Sequence, residues 1–465
     1  MLDTAYLDGM RGVSALVVFA QHYTIPFIPW LDYGYEDSLR SNIFQLPIVR
    51  LFYTGSALVP VLFVIAGLTI SLKPIRLIDA QERERFDTSI VSIVFRRALR
   101  LFGPSLISSF ATMVGAYLGF FGMQSKMTYG GDSYRQRTVW DNQPRRLPSF
   151  ADQLRDWHAF VRSQILVPET WQSGNQSNPP ILKEIQHQSD EALRKPAVYG
   201  FQLWTLPVEF WCSELLVLAL ASTSRALQTH RTLAFCALAV LSLLFGRWDA
   251  AMFLAGSLLA NTAAFSNTKR STPDYHRVVG TLSPVMFILG LFLLSFPEAN
   301  SQKALGFTWL SSRVCGNYRF WTSIGAVMIV ATTAQIEVLQ ELLASSPLLY
   351  LGRLSYSLYI VHIPILSSFG WALVSRAREI TGDDNVVLRV VGFVLSFLLV
   401  LSVCLVVANF YSRLVVRPCS GLGRVLDVCL RERASRRERC VDMSETGSWN
   451  EFLNERDLPK VVCVS

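Results

Sequence analysis

Six ionisable side chains lie in or beside long apolar stretches of this sequence, and they are the residues with which it could do chemistry. They are His22, Arg97, Arg100, Glu209, Glu214 and His362. An ionised group at the centre of a membrane helix costs about 2.5–3.5 kcal/mol on insertion scales. Something should compensate for that cost, so each of these residues is a candidate for function.

The two histidines could act on a hydroxyl group. His22 ends the apolar run of "LDGMRGVSALVVFAQHY" and lies about 16 Å beyond Arg11 if the stretch is helical. A neutral imidazole at that depth could take a proton from a hydroxyl, or it could simply bond a carbonyl of a neighbouring helix. His362, in "LGRLSYSLYIVHIPIL", is followed by Pro364, which predicts a kink, and a structural role is as open for it as a catalytic one.

The charged candidates suit the binding of a second substrate. Arg97 and Arg100, in "FRRALRLFGP", are three residues apart, share a helical face and could clamp a phosphate through paired hydrogen bonds. They could equally only flank a span and orient it. Glu209, in "LWTLPVEFW", could orient an imidazole, accept a hydrogen bond from a substrate, or lie at the membrane interface. Glu214 has no comparable motif around it.

The elements that must position these residues are membrane helices. Of the 465 residues, 51% are hydrophobic and 17% are charged. The charged fraction is well below the one quarter that is typical of soluble domains. With about 20 apolar residues per span, the sequence predicts an all-α polytopic membrane protein, a bundle of about ten transmembrane helices with one long extramembrane loop. The predicted spans are roughly 10–28, 51–72, 93–121, 202–222, 232–247, 250–266, 278–296, 320–337, 347–370 and 386–412.

Loop charge predicts the orientation of the bundle. The segment "KPIRLIDAQERERFDTSIVSIVFRRALR" is rich in Lys and Arg, which places it in the cytosol and, with alternating spans, places both termini there as well. The 122–200 loop then lies on the lumenal side, where Asn175 forms an N-glycosylation sequon. Within it, 150–168 is predicted to form an amphipathic helix that lies on the membrane or caps the bundle. We therefore expect a transmembrane domain over 1–418 and a polar cytosolic tail over 419–465, in the endoplasmic reticulum or another endomembrane.

Two kinds of partner are not expected. The net charge of +8 comes without a basic stripe interleaved with aromatic residues, so it reflects membrane orientation rather than nucleic-acid binding. The eight cysteines form neither a CxxC pair nor a zinc spacing, so no metal is expected.

Four of the sequence segments that carry these candidate residues together resemble one family, the acyltransferase-3 family of integral-membrane O-acyltransferases. "LDGMRGVSALVVFAQHY" resembles its opening L-D-G-x-R-G phrase followed by a histidine. "FRRALRLFGP" resembles its R-x-x-R motif, "LWTLPVEFW" its L-W-(S/T)-x-x-x-E phrase, and "LGRLSYSLYIVHIPI" its G-x-x-S-Y-x-x-Y-x-x-H segment. The resemblance covers about 5 to 418 in the family's order, and the long loop and polar tail are most similar to fungal members.

The resemblance implies transfer of an acyl group from acyl-CoA, with acetyl-CoA as the expected donor, to a hydroxylated small molecule in natural-product biosynthesis. In this reading His22 activates the hydroxyl, Arg97 and Arg100 hold the donor, and Glu209 and His362 complete the catalytic centre. Asp8 and Arg11 would shape the start of the first helix. The second span departs from the family pattern, since "VPVLFVIAGL" lacks an acidic residue and has Ala66 where serine is usual.

Two other readings stay open. A proton-coupled transporter could use His22, Glu209 and His362 as a proton relay, although the sequence shows no internal repeat of broken helices. An inactive family member would keep the fold without the chemistry, and the departure at Ala66 leaves room for it. A transporter should tolerate Arg97→Lys, whereas a bidentate phosphate clamp should not.

Overall fold

A computed structural model describes residues 4–36, 41–121, 143–166, 199–261, 273–313, 317–382 and 385–428. These residues are predominantly helical, and the β structure among them is one isolated bridge between Tyr33 and Ala299. The helices are α1 Ala5–Thr24, α2 Gly55–Asp79, α3 Arg83–Leu118, α4 Phe150–Phe160, α5 Thr205–Thr223, α6 Gln228–Leu244, α7 Trp248–Ala260, α8 Pro273–Leu294, α9 Thr308–Arg313, α10 Tyr318–Thr333, α11 Glu337–Leu343, α12 Ser346–Ile365, α13 Trp371–Thr381 and α14 Val386–Tyr411.

Each of the ten predicted spans contains a helix, but a count of about ten crossings is not confirmed. Five helical segments in the described ranges are long and apolar enough to cross a membrane, and a sixth is added if α10 and α11, bent by 96°, form one span. The five are Gly55–Asp79, Arg83–Leu118, Phe201–Thr223, Ser346–Thr381 and Val386–Val428. The others fall short for physical reasons: α7 has 13 residues, about 20 Å of helix, and α1 is polar at both ends.

Helix α1 packs along α12 in the same direction, because glycines let the two backbones come close. A Cβ on Gly12 would lie 2.6 Å from the amide nitrogen of Gly352, and a Cβ on Gly352 would lie 2.1 Å from the carbonyl oxygen of Asp8. Small residues permit this approach between membrane helices. The close contact sets the register between the two helices.

Helices α2 and α7 make a second close contact, in the antiparallel sense. A Cβ on Gly67 would lie 2.2 Å from the carbonyl oxygen of Phe253, and a Cβ on Gly256 would lie 2.2 Å from that of Val64. This contact lies in the largest apolar cluster, in which Ala66 is buried. The short helix α7 is therefore enclosed by protein along most of its length.

Two prolines each leave a backbone carbonyl of their own helix without its usual hydrogen-bond donor, and a side chain from another segment bonds each carbonyl. Pro364 has no amide hydrogen, so the carbonyl of Ile360 loses its helical partner. The amide nitrogen Nε2 of Gln202 donates to that carbonyl at 3.0 Å. Pro60 similarly releases the carbonyl of Ser56, which accepts a 3.0 Å hydrogen bond from Nη1 of Arg319. The prolines thus tie their helices to neighbours through side chains.

The predicted amphipathic helix of the loop forms α4 and a following π-helical turn, Val161–Leu166. Val161 and Ile165 are buried, whereas Phe150 and Leu154 are exposed. Trp157 donates from Nε1 to Oγ of Ser109 on α3 at 3.1 Å, so this helix packs against the bundle. Residues 122–142 and 167–198 of the loop, including Asn175, lie outside the described residues.

The last helix extends beyond the predicted end of the final span. Helical structure continues from α14 to Val428, across the predicted boundary at 418. Oγ of Ser92 on α3 donates to the carboxylate of Asp427 at 2.8 Å, and both residues are buried. The predicted tail therefore begins as a helix that packs on α3, and residues from 429 onward lie outside the described ranges.

Candidate active site

The two histidines that the sequence singles out meet inside the bundle. The ring centres of His22 and His362 are 5.3 Å apart, and the ring planes are inclined by 32°. Each histidine lies ten residues after a glycine of the α1–α12 contact, Gly12 or Gly352. Because the two helices run in the same direction with that register, the equal spacing of about 15 Å brings the imidazoles together.

His362 is hydrogen-bonded to carbonyl groups of its own helix and is almost completely buried. Its Nδ1 atom lies 2.8 Å from the carbonyl oxygen of Tyr359 and 3.1 Å from that of Leu358. The side chain is buried, and its Nε2 atom has no hydrogen-bond partner among the described residues. His362 therefore presents one ring nitrogen that the surrounding helices leave unoccupied.

Aromatic and polar groups enclose the histidine pair. The ring of Phe201 contacts His22 edge to face with ring centres 5.2 Å apart, and the ring of Tyr359 lies 5.8 Å from His362. The backbone carbonyl of His22 accepts a 3.1 Å hydrogen bond from Nε1 of Trp371, a fully buried residue. The hydroxyl groups of Tyr359 and Thr205 are 2.6 Å apart, which ties α12 to the start of α5.

Arg97 and Glu209 form an ion pair within the helices. Nη2 of Arg97 lies 2.7 Å from Oε1 of Glu209, and Nε of Arg97 donates to Oγ of Ser213 on the same α5 helix. The Arg97 side chain is 13% exposed and that of Glu209 is 25% exposed. A largely buried pair of this kind holds both charges in place, since removal of one partner would leave the other charge uncompensated.

Arg100 and Arg97 are in different environments although they share a helix face. Arg100 is exposed, and within the described part of the chain no ion pair to it is found. Arg11 donates to Asp8 at 3.1 Å and to the hydroxyl of Thr69 on α2 at 3.1 Å. The charges of Arg11, Arg97, Arg100 and Glu209 all interact electrostatically, so these four side chains form one cluster, which we term the arginine cluster.

The predicted site residues therefore occupy two levels of the bundle. His22 and His362 form the histidine pair, and Glu209 belongs with Arg97 and Arg100 in the arginine cluster. Along α1 the distance from Arg11 to His22 is about 16 Å. Glu214, which the sequence left unassigned, has a buried Oε1 atom that lacks a hydrogen-bond partner among the described residues.

Sequence reasoning missed three residues that shape the site: Phe201, Gln202 and Trp371. Only one of them had a signal in the sequence. Pro364 indicates that the carbonyl of Ile360 requires another hydrogen-bond donor, but it does not identify Gln202 as that donor. Across the described ranges, no group of three or more His, Cys, Asp or Glu side chains could hold a metal ion.

The arrangement is that of a multi-pass helical membrane protein with a histidine pair and an arginine cluster between its helices. Comparison with known proteins assigns its family: the chain belongs to the acyltransferase family Acyl_transf_3, whose model, described as an acyltransferase domain, matches residues 4–409. The protein is an acyltransferase.

Fungal proteins are among its relatives. The chain is 30% identical to the O-acetyltransferase PaAT-1 of Phomopsis amygdali, over 82% of this chain and 76% of the relative. It is 25% identical to acyltransferase clz18 of Cochliobolus lunatus, over 94% of this chain and 97% of the relative. It is also 25% identical to acyltransferase R4 of a Phoma species, over 90% and 94% respectively. No solved structure matches the chain.

Proposed function

We propose that this acyltransferase moves an acyl group, acetyl in the first instance, from acyl-CoA to a hydroxyl group of a small molecule in natural-product biosynthesis. The observation that carries the proposal is the contact between His22 and the buried His362 in a chain of this family. The O-acetyltransferase name of the PaAT-1 relative supports acetyl as the group and oxygen as the acceptor atom.

The histidine pair provides the base for the reaction. The acceptor oxygen attacks the thioester carbonyl carbon while His22 takes the hydroxyl proton. The C–S bond then breaks, and the proton passes to the departing CoA sulfur, so the products are an ester and free CoA. The apolar wall around the pair, with Phe201 and Trp371, excludes water that would otherwise compete as acceptor.

The arginine cluster receives the phosphates of the donor, and two of its three arginines, Arg97 and Arg100, have different roles. Arg100 is exposed and can approach a phosphate directly, whereas Arg97 is held by Glu209 and contributes a positioned charge. At the start of α3, a cavity of about 450 Å³ opens between α2 and α3, and its lining includes Lys73, Arg85 and Glu84. This cavity suits the nucleotide end of CoA, from which the pantetheine arm would run along α1 toward the histidines.

We further propose that all ten main helices cross the membrane, with both termini in the cytosol and the 122–200 loop, with Asn175, in the lumen of the endoplasmic reticulum. The short helix α7 can cross because protein surrounds it. The Lys- and Arg-rich segment between α2 and the middle of α3 supports this orientation. It also places the arginine cluster toward the side on which acyl-CoA is found.

Microsomes from a heterologous host expressing the wild type or His22→Ala at matched levels test the proposal. Labelled acetyl-CoA is supplied with a panel of hydroxylated terpenoids and polyketides, and ester formation is followed by mass spectrometry. We expect ester formation in the wild type and a loss of about 10²-fold or more in the variant. Equal ester formation in both would remove His22 from the chemistry. Donor-dependent uptake of an alcohol without ester formation would instead indicate a transporter.

A further inference from the structure

The contacts of His362 determine which of its ring nitrogens carries the proton. Nδ1 lies 2.8 Å from the carbonyl oxygen of Tyr359 and 3.1 Å from that of Leu358. A carbonyl oxygen can only accept a hydrogen bond, so Nδ1 must be the donor. In the neutral ring Nε2 then carries the lone pair, and this tautomer is set by the helix itself.

The lone pair on Nε2 needs a donor. The His362 side chain is 1% exposed, and Nε2 has no hydrogen-bond partner among the described residues. Buried polar atoms in folded proteins are almost always paired, and an exception calls for an explanation, of which a catalytic role is one. The unpaired Nε2 atom of His362 therefore indicates that another group forms a hydrogen bond with it during the reaction.

His22 carries a donor at the right distance. One N–H···N hydrogen bond of about 3 Å holds two imidazole ring centres about 5 Å apart, and the observed separation is 5.3 Å. The backbone of His22 is anchored by Trp371, whose Nε1 donates to the His22 carbonyl at 3.1 Å. A hydrogen bond between the two rings requires a rotation of the His22 side chain that directs one of its ring nitrogens at Nε2 of His362, which has no partner among the described residues.

We propose that His362 is a positioning residue whose Nε2 accepts a hydrogen bond from the N–H of His22. This bond holds His22 in the tautomer whose other nitrogen faces the acceptor hydroxyl, and it stabilises the imidazolium that forms when His22 takes the proton. His362 gains no proton; the proton leaves His22 for the CoA sulfur as the C–S bond breaks. The inference rests on the proposed acyl transfer, in which a neutral imidazole does the work of the carboxylate in a catalytic triad.

Two substitutions separate the two nitrogens of His362. His362→Asn places an amide near Nδ1 and keeps a donor for the Leu358 and Tyr359 carbonyls, but it leaves nothing at the Nε2 position. His362→Gln places an amide oxygen at the Nε2 position, where it can accept from His22. Release of CoA from acetyl-CoA is measured for purified full-length protein, with the best alcohol of the panel as acceptor. Thermal unfolding in detergent reports whether each variant folds.

We expect His362→Asn to lower kcat by about 10²-fold with little change in the KM for acetyl-CoA, and His362→Gln to recover most of that loss. The reverse order would assign His362 a structural role through Nδ1 and overturn the inference. Full activity in both variants would overturn it as well. Loss in both folded variants would make His362 itself the base. None of these outcomes removes acyl transfer, which fails only if the wild type releases no CoA; a fully active His22→Ala variant would instead remove His22 as the base.

A double substitution guards against a variant that misfolds. If His362 acts through His22, adding His362→Asn to His22→Ala should lower kcat by less than about threefold, because the interaction is already gone. A further loss of about 10²-fold in the double variant would mean that His362 acts independently, and the inference would be wrong.

Discussion

Single residues in this protein act in pairs that come from distant parts of the sequence. Arg97 is separated from Glu209 by 112 positions and His22 from His362 by 340, yet each pair is in contact within the bundle. The pairing changes what each side chain can do. An arginine engaged by a carboxylate and a serine is a positioned charge rather than a mobile clamp, so Arg97 and Arg100 should respond differently to the same substitution.

We expect Arg97→Lys to lower the free energy of unfolding by about 1.5–3 kcal/mol, because an ammonium group cannot bond Glu209 and Ser213 as the guanidinium does. Thermal unfolding of purified protein measures the change. Arg100→Lys is the matched control, with the same change of type three residues away at an exposed position, and its stability should stay within about 0.5 kcal/mol of the wild type. Equal stability of the two variants would contradict the role assigned to the ion pair.

The sequence identified the polar residues of the site but not all of the contacts between them. His22, Arg97, Glu209 and His362 stand out because charge or an imidazole is expensive inside an apolar run. Their contacts depend on how helices far apart in sequence pack, which periodicity does not encode. Phe201 and Trp371 carry no such signal, because aromatic residues near membrane helices are common and few of them contact a reactive side chain.

At the scale of helices, glycine contacts and proline breaks determine which segments touch. The Gly12–Gly352 contact sets the register that brings the histidines together. The bond from Gln202 to the carbonyl released by Pro364 holds the start of α5 against α12 beside them. Both features can be recognised in the sequence as small or helix-breaking residues, but their partners are visible only in the folded chain.

Gly352→Ala should separate α1 from α12, because the new Cβ would lie 2.1 Å from a backbone carbonyl that cannot move alone. We expect acyl transfer to fall by at least about tenfold, since a shift of about 1 Å at a reacting group can cost far more. Gly421→Ala is the control, because nothing lies within 4 Å of a Cβ at that helical position. Undiminished activity of Gly352→Ala would show that the histidine register does not depend on this contact.

The bond between Gln202 and Ile360 can be tested by rescue. Gln202→Leu removes the donor and leaves a buried carbonyl unpaired, which should cost about 1–3 kcal/mol of stability. Adding Pro364→Ala restores a backbone amide that can bond the same carbonyl within the helix. Thermal unfolding of the single and double variants should therefore show that Pro364→Ala raises the stability of Gln202→Leu more than that of the wild type. Additive effects would argue against the shared carbonyl.

At the scale of the whole molecule, the arginine cluster and the histidine pair lie at different depths, so the two ends of the bundle differ chemically. The arginine cluster lies beside the first turns of α1, and the histidine pair lies beside its last turns, about 16 Å further on. Helix α4 of the long loop packs on Ser109, near the end of α3. If the charge rule orients the bundle correctly, the donor enters from the cytosol and the histidines lie toward the lumen.

That orientation predicts opposite exposure of the termini and the loop. In sealed microsomes, protease added outside should remove epitope tags from both ends of the chain, while a protease site inserted into the 122–200 loop should be cut only after detergent is added. Endoglycosidase should shift the mobility of the wild type but not of Asn175→Gln. Positive loops are retained in the cytosol by their Lys and Arg residues, whereas a long loop can translocate despite its charge. Cleavage of the loop in sealed vesicles, with both tags protected, would invert the bundle and place the histidine pair on the side where acyl-CoA is supplied.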